Sequence, residues 1–417
     1  MTKAGKFFSA RSVVANSSMT NIVVGALCAL LGITTFSANA QTNINANTLP
    51  TNGQVVAGSA TVTQNGNTLN VNQSSSRAVI NWQSFNVGSN ATVNFNQPTA
   101  NSATLNRVVT ATKTQIDGAI KANGTVIIEN SEGVTFGKTA QVNAGAVVAT
   151  TLDIANKDFM DGKNTYAAAN GAASTGKVIN KGTIQTNDPN GYIALLAPEV
   201  RNYGYVIASG GSGSAVALAS GSRITLNFSS NQLVGVSVDA SVYKSLIANK
   251  RAVEVPGGLV VIAANSVNQL MGSVIKNSGR ISTTSMVNNG GNIEIVAGNV
   301  TNSGALLANS KNGNGGNINV RGDTITLTST SKIKANAKTQ GNGGNVSIIS
   351  NQQTTVAGTL QATGGALSGN GGTIETSSHQ NLTITSSTKV DTSAPAGKTG
   401  TWLLDPYNLT IDSASAS

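Results

Sequence analysis

Few residues in this chain are suited to covalent chemistry, and their spacing limits what they could do. Acids stand near one another at Glu129 with Glu132 and at Asp158 with Asp161. Glycoside hydrolysis needs two carboxylates held about 5 to 10 Å apart across a sugar, and a lyase needs a base with cations to neutralise its polymer. Asp158 and Asp161 fall in a stretch that reads as a loop, and neither spacing places a sugar between the acids. His379 is the one histidine and Cys28 the one cysteine, which excludes a multi-histidine metal centre. His379 reads as a surface or ladder position beside Ser377 and Ser378. Gly313-Asn314-Gly315-Gly316 has the glycine content of a phosphate loop, but no Gly-Lys-Ser/Thr follows and no helix pattern opens after it. Arg321-Gly322-Asp323 spells a short integrin-recognition tripeptide at a coil corner, a weak recognition element. Calcium-binding nonapeptides need an Asp in each turn, and these turns carry Asn and Gly. The expectation is no catalytic residue, no cofactor and no metal.

The elements that would position these residues repeat. Gly290-Gly291-Asn292-Ile293 recurs as Gly315-Gly316-Asn317-Ile318, Gly343-Gly344-Asn345-Val346 and Gly371-Gly372-Thr373-Ile374, with Gly400-Thr401-Trp402 in the same phase. The second glycines fall at 291, 316, 344, 372 and 400, in steps of 25, 28, 28 and 28. A second motif, Asn-x-Gly before an apolar strand, is interleaved at Asn180, Asn202, Asn277 and Asn302. Fixed periods of this size mark a solenoid. Alternation in Asn292–Val296 and Asp323–Thr328 turns apolar side chains inward and polar ones outward. The Gly and Asn residues read as corners that use positive φ, and outward Thr, Ser and Asn can form ladders along the stack. These features predict an all-β, pectin-lyase-like, right-handed parallel β-helix. A propeller blade is longer than this period, and a sandwich needs no glycine period.

Residues 41–130 read as irregular short strands without a clear period, suited to cap the first coil, because a bare sheet edge invites aggregation. Leu152 to Gly176 reads as an excursion from the solenoid. A second excursion, about Leu233 to Val255 with Asp239, Lys244, Lys250, Arg251 and Glu254, could be helical in part.

Composition agrees with a long repetitive body. Only 10% of the 417 residues are charged and 4% are aromatic, against about a quarter charged in ordinary globular chains. At 39% hydrophobic, the chain is too apolar for disorder. Lys3, Lys6 and Arg11 precede an apolar run from Ile22 to Phe36, and no acid occurs in residues 1–40. Ala38-Asn39-Ala40 supplies a signal-peptidase pattern, so residues 1–40 read as a signal peptide and the mature chain begins at Gln41. Cys28 leaves with that segment, and the net charge of +10 falls to +7 with the loss of its three basic residues. The remaining positive charge is dispersed, which argues against a nucleic-acid partner.

Ala78-Val79-Ile80-Asn81-Trp82-Gln83-Ser84-Phe85-Asn86 resembles the Ile-Asn/Asp-Trp-x-x-Phe-Asn signature of filamentous-haemagglutinin-type exoproteins, the secreted partners of bacterial two-partner secretion. The resemblance continues through Leu105-Asn106-Arg107-Val108, Gly133-Val134-Thr135-Phe136-Gly137-Lys138 and Ala149-Thr150-Thr151-Leu152-Asp153-Ile154. Glu375-Thr376-Ser377-Ser378-His379 and Trp402-Leu403-Leu404-Asp405-Pro406 also look like motifs of that family. One stretch departs from it: Asn130-Ser131-Glu132-Gly133 stands where the family commonly has Asn-Pro-Asn-Gly.

The resemblance implies a secretion domain over 41–176, continuing β-helix repeats over 177–417, and secretion motifs at Asn81, Trp82, Phe85, Asn106, Arg107, Asn130, Gly133 and Gly137. It implies Sec-dependent entry to the periplasm of a Gram-negative bacterium and passage through a dedicated outer-membrane β-barrel transporter. The secreted, surface-borne product would be an adhesin for host or bacterial surface glycans or proteins. The alternatives are the stalk of a truncated contact-dependent toxin or haemolysin and a polysaccharide-active β-helix enzyme. Family members usually continue well past the Trp-Leu-Leu-Asp-Pro segment, so an uncapped last coil is expected to support end-to-end self-association.

Overall fold

The computed structural model describes residues 44–168, 175–241, 245–266 and 273–412. Ala38, Ala40, Gln41 and the rest of the expected signal segment lie outside the described residues. The segment from Ile44 onward is one compact unit.

Short β-branched strands separated by Gly and Asn wind into a parallel β-helix. One coil runs through strands Thr125–Glu129, Val134–Phe136 and Gln141–Asn143, and the next through Ala146–Thr150, Lys177–Asn180 and Thr183–Thr186. Each strand pairs in parallel with its equivalent one coil on, as in Val126 with Val147, Val134 with Val178 and Val142 with Ile184. The described strands form a 20-stranded sheet carrying the first two faces and a 13-stranded sheet forming the third. In later coils the first two faces are one bent strand, as in Asn317–Leu327 and Asn345–Val356. Every second residue points inward, so Val216, Val260, Ile293, Ile318, Val346 and Ile374 stack in register with no more than 1% exposure.

The first face is covered on its outer side over the early coils only. Tyr192–Leu196, Ala215–Ser220 and Leu259–Ala264 are continuous apolar runs, the pattern of strands buried on both faces. Over them lies a three-stranded antiparallel sheet of Thr165–Ala167, Arg223–Ser229 and Gln232–Asp239, beside the short helix Asn156–Met160. Leu105, Ile127, Val148, Ala217, Phe159 and Ile224 form this second core. From Asn292–Val296 onward the outward residues are polar or exposed, and the cover is gone.

Several expectations are corrected. The glycines of the Gly-Gly pairs do not adopt positive φ; the positive-φ glycines are elsewhere, at Gly58, Gly66, Gly133, Gly162, Gly211, Gly257, Gly341 and Gly369. The pair glycines are needed because coils touch at them: a Cβ on Gly316, Gly344, Gly372 or Gly400 would sit 2.0 to 2.1 Å from the carbonyl oxygen of the equivalent glycine one coil back. The Asn-x-Gly asparagines do not adopt positive φ either; their side chains point inward. Asn180, Asn202, Asn249, Asn277 and Asn302 are at most 2% exposed and donate amide to amide along the axis at 2.7 to 2.9 Å, ending on Ser331 Oγ at 2.6 Å. An outer ladder also exists, with Asn345 donating to Asn317 and Asn317 to Asn292.

Among its described residues the second excursion holds no helix but the second strand of a β-hairpin, Arg223–Ser229 with Gln232–Asp239; Lys244 lies outside the described residues. Ser230 (φ 47°) and Asn231 (φ 69°) make the tight left-handed turn that hairpins favour. Ala252–Glu254 already belongs to the solenoid. Regular coiling also begins earlier than the glycine period showed. Thr68–Gln73 pairs in parallel with Thr92–Asn96, and the cap is confined to Gln54–Ala57 and Ala60–Asn65, both antiparallel to their partners. At the other end, Thr401–Ile411 pairs with Thr373–Ile384 and has no strand on its second edge among the described residues.

Candidate functional site

The motif residues occupy the first coils, where most of them hold the scaffold from within. Trp82 ends the strand Arg77–Trp82 and points into the solenoid with 1% exposure. Its ring meets Phe85 edge-on, with centroids 5.6 Å apart. Gly53 lies against the same ring, since a Cβ there would come 2.5 Å from the indole. The indole Nε1 donates to Asn106 Oδ1 at 3.1 Å, and Asn106 Nδ2 donates to the Ile127 carbonyl at 3.2 Å, so one buried chain ties three coils together. Asn81, one residue earlier in the strand, carries a buried Oδ1 with no hydrogen-bond partner. Asn86 Oδ1 accepts from the Gln115 N–H at 2.8 Å.

Arg107 follows Asn106 in the strand Ala103–Val108 and therefore points the opposite way, to the outer side. Its Nε donates to Glu129 Oε1 at 2.7 Å, and its Nη2 donates to Glu129 Oε2 at 3.3 Å and Asp153 Oδ1 at 3.0 Å. Asn156 Oδ1 and the Ile154 carbonyl complete the set. Arg77 joins from the preceding coil, donating to the Phe159 carbonyl at 3.0 Å with its guanidinium 5.0 Å from the Phe159 ring centroid. Two arginines thus fasten the excursion to the solenoid wall. Burial pushes the Glu129 carboxyl up to about 8, with the Arg107 hydrogen bond and charge pulling the other way.

Asn130 and Gly133 build the turn between the first and second faces. Asn130 Nδ2 donates to the Thr112 carbonyl at 2.8 Å and Thr114 Oγ1 at 2.9 Å, while its Oδ1 accepts from the Glu132 N–H at 3.0 Å. Gly133 has φ +124° and donates its N–H to the Asn130 carbonyl. The positions where this chain departs from Asn-Pro-Asn-Gly, Ser131 and Glu132, are the exposed ones. The turn keeps the two residues that shape it. A Cβ at Gly137 would meet the Asp117 side chain, 1.7 Å from its Oδ1, and push it aside.

These residues share three consecutive coils but do not converge on one cleft. Arg321-Gly322-Asp323 lies far along the chain in the strand Asn317–Leu327, at the bend where its register slips, and is not a protruding loop. Arg321, Asp323 and the exposed His379 line an open groove of about 810 Å³ beside Val236, Val238 and Val296. Of the paired acids, Glu129 is held by Arg107. Asp158 lies on the short helix, not in a loop, and Asp161 in the turn that follows it; they pair with Lys163 at 2.7 Å and Lys157 at 2.5 Å. Arg77 and Asn156 carry no signature of their own, and sequence reasoning missed them; the apolar runs over which the excursion packs were the available signal.

The profile of the TPS secretion domain family matches residues 41–308. A heme/hemopexin-binding protein of Haemophilus influenzae strain Rd is 29% identical over 276 residues, covering 65% of this chain and 29% of that protein. A second heme/hemopexin-binding protein of Haemophilus influenzae is 25% identical over 269 residues, covering 60% of this chain and 28% of its own length. The chain thus spans under a third of the curated relatives it matches. The crystal structure of the HMW1 secretion domain from Haemophilus influenzae superposes with a TM-score of 0.65 at 24% identity, covering 87% of this chain and 100% of that one, which shows the fold.

Proposed function

This chain belongs to the TPS secretion domain family, and from that premise we propose that its first coils direct export through an outer-membrane β-barrel transporter of the two-partner type. Family members are secreted to the surface of Gram-negative bacteria. On this reading the chain reaches the periplasm by the Sec route, crosses the transporter unfolded, and coils outside. The observation that carries the reading is the family match over 41–308, which takes in the capped first coils, where Trp82, Asn106, Arg107 and Asn130 each bind neighbouring coils. Their burial makes them supports for a recognition surface and not the surface itself.

The parallel stack suits such a route. Each coil offers a complete strand edge on which the next can form, no disulfide is needed, and the covering sheet closes over the early coils only after residue 239 has followed them. The exported product acts as an adhesin for surface glycans or proteins, and not as an enzyme. In support, Glu129, Asp158 and Asp161 are all engaged by cations of their own chain. The test is co-expression with the transporter: deleting Trp82 to Gly137 abolishes release, and continued release after that deletion overturns the reading.

A further inference from the structure

Outside the last strand, the three most exposed large apolar side chains among the described residues are Val287 at 75%, Leu367 at 74% and Met286 at 59%. All three lie on one edge, the corner that follows the third face. The corner loops stack in register there: Lys311 donates its N–H to the Ser285 carbonyl, Lys338 to that of Ser310, Ala366 to that of Lys338 and Leu367 to that of Thr339. Met286, Lys311 and Lys338 therefore succeed one another along the axis, with Val287, Asn312 and Thr339 beside them, and Ala366 and Leu367 follow on the next coil beside Thr339 and Gln340.

Lys311 and Lys338 occupy consecutive coils, whose backbones lie about 4.8 Å apart, so two exposed like charges stand side by side there. Lys332 and Lys334 flank them on the adjoining strand, with Ile333 turned inward. None of these four lysines has an ion-pair partner among the described residues. The acid in register with Lys334 is Asp391, two coils on.

We propose that this ridge docks on an anionic lipid surface, with Met286, Val287 and Leu367 entering the headgroup boundary and Lys311 and Lys338 meeting lipid phosphates. Apolar tips among unpaired lysines are the composition of interfacial attachment. A polyanionic polysaccharide satisfies the lysines but leaves the apolar tips without a role. The contact is peripheral, since no helix among the described residues is long and apolar enough to cross a membrane.

The test is co-sedimentation of the chain from Gln41, which contains the compact unit, with vesicles of phosphatidylcholine alone or mixed with phosphatidylglycerol. Binding appears with the mixed vesicles and weakens as salt is raised. The K311Q/K338Q variant loses affinity about 25-fold, from the contribution of each lysine near a charged surface. The M286S/V287S/L367S variant loses about 10-fold or more and retains the salt dependence. Circular dichroism confirms that both variants fold, and the salt titration of the unaltered chain tests the proposal without any variant. No binding to phosphatidylglycerol vesicles, or binding that neither variant changes, overturns it. So does tight binding of dextran sulfate that the serine variant leaves intact, which would assign the ridge to a soluble polyanion.

Discussion

Replacing Asn249 by Ala tests whether the interior ladder holds the solenoid. Asn249 accepts from Asn202 at 2.8 Å and donates to Asn277 at 2.8 Å, and is 1% exposed. Its removal deletes two hydrogen bonds in a site water does not reach. Asn202 Nδ2 keeps its bond to the Ala252 carbonyl at 3.2 Å, but Asn277 Oδ1 is left without its donor. A buried polar group left unpaired costs about 1–3 kcal/mol, and each hydrogen bond contributes about 1 kcal/mol. The expected loss is on the order of 2–5 kcal/mol. The control is Asn317→Ala in the outer ladder, where Asn317 also donates to one asparagine and accepts from another but is exposed. Water replaces both partners there, so the cost is within about 0.5 kcal/mol. Urea denaturation followed by circular dichroism measures both, and hydrogen exchange of the coils around 249 checks for local opening. Equal losses for the two variants, or a loss below about 0.5 kcal/mol at 249, would refute the reasoning, since burial is the only difference that matters in it.

Further outcomes follow from the same geometry. Trp82→Ala removes a fully buried indole and orphans Asn106 Oδ1, with an expected loss of about 3–5 kcal/mol in thermal or urea unfolding and a fall in exported protein. Gly344→Ala places a methyl 2.0 Å from the Gly316 carbonyl oxygen; it should split the stack and expose the later coils to limited proteolysis, whereas Gly66→Ala, with open space around it, costs only the strain of its positive φ, about 1 kcal/mol. Glu129 is held protonated in the fold to about pH 8, against 4.5 for an unperturbed carboxyl. Its contribution is therefore fully present below pH 4.5 and lost as pH rises through about 8; Glu129→Gln should flatten that decline in a stability–pH profile, and an unchanged slope would count against the raised value. Asn130→Ala should destabilise by about 1–3 kcal/mol, while Glu132→Asn, at an exposed turn position, should leave both melting and export unchanged.

The solenoid was legible because its determinants are local and periodic. A Gly-Gly pair every 25 to 28 residues and alternating strands such as Asn292–Val296 leave few other architectures. What was misread concerns what the periodic residues touch, which depends on the neighbouring coil. A glycine needed for φ and one needed for a backbone contact look alike in sequence; only the stacked carbonyl one coil back separates them. The inward asparagines were located by Asn-x-Gly, but Asn249 escaped because Arg251 stands where the others have glycine. The apolar runs at Tyr192–Leu196 and Leu259–Ala264 carry the signal of a second covering layer, which the periodic pattern alone did not use. That layer came from a hairpin whose Ser230-Asn231 turn is a weak signal beside Asn-Gly. The motif residues were found through their resemblance to a family, and their roles as internal ties emerged only when Trp82, Asn106 and the Ile127 carbonyl were seen in one line.

The central claim is that this domain is a passport through a dedicated outer-membrane transporter. It is tested most directly by expressing the chain with and without its two-partner transporter and measuring folded, protease-resistant protein in the medium and on the cell surface. Release is expected only when the transporter is present, with retention in the periplasm otherwise. Equal release in its absence, or retention in its presence, would contradict it.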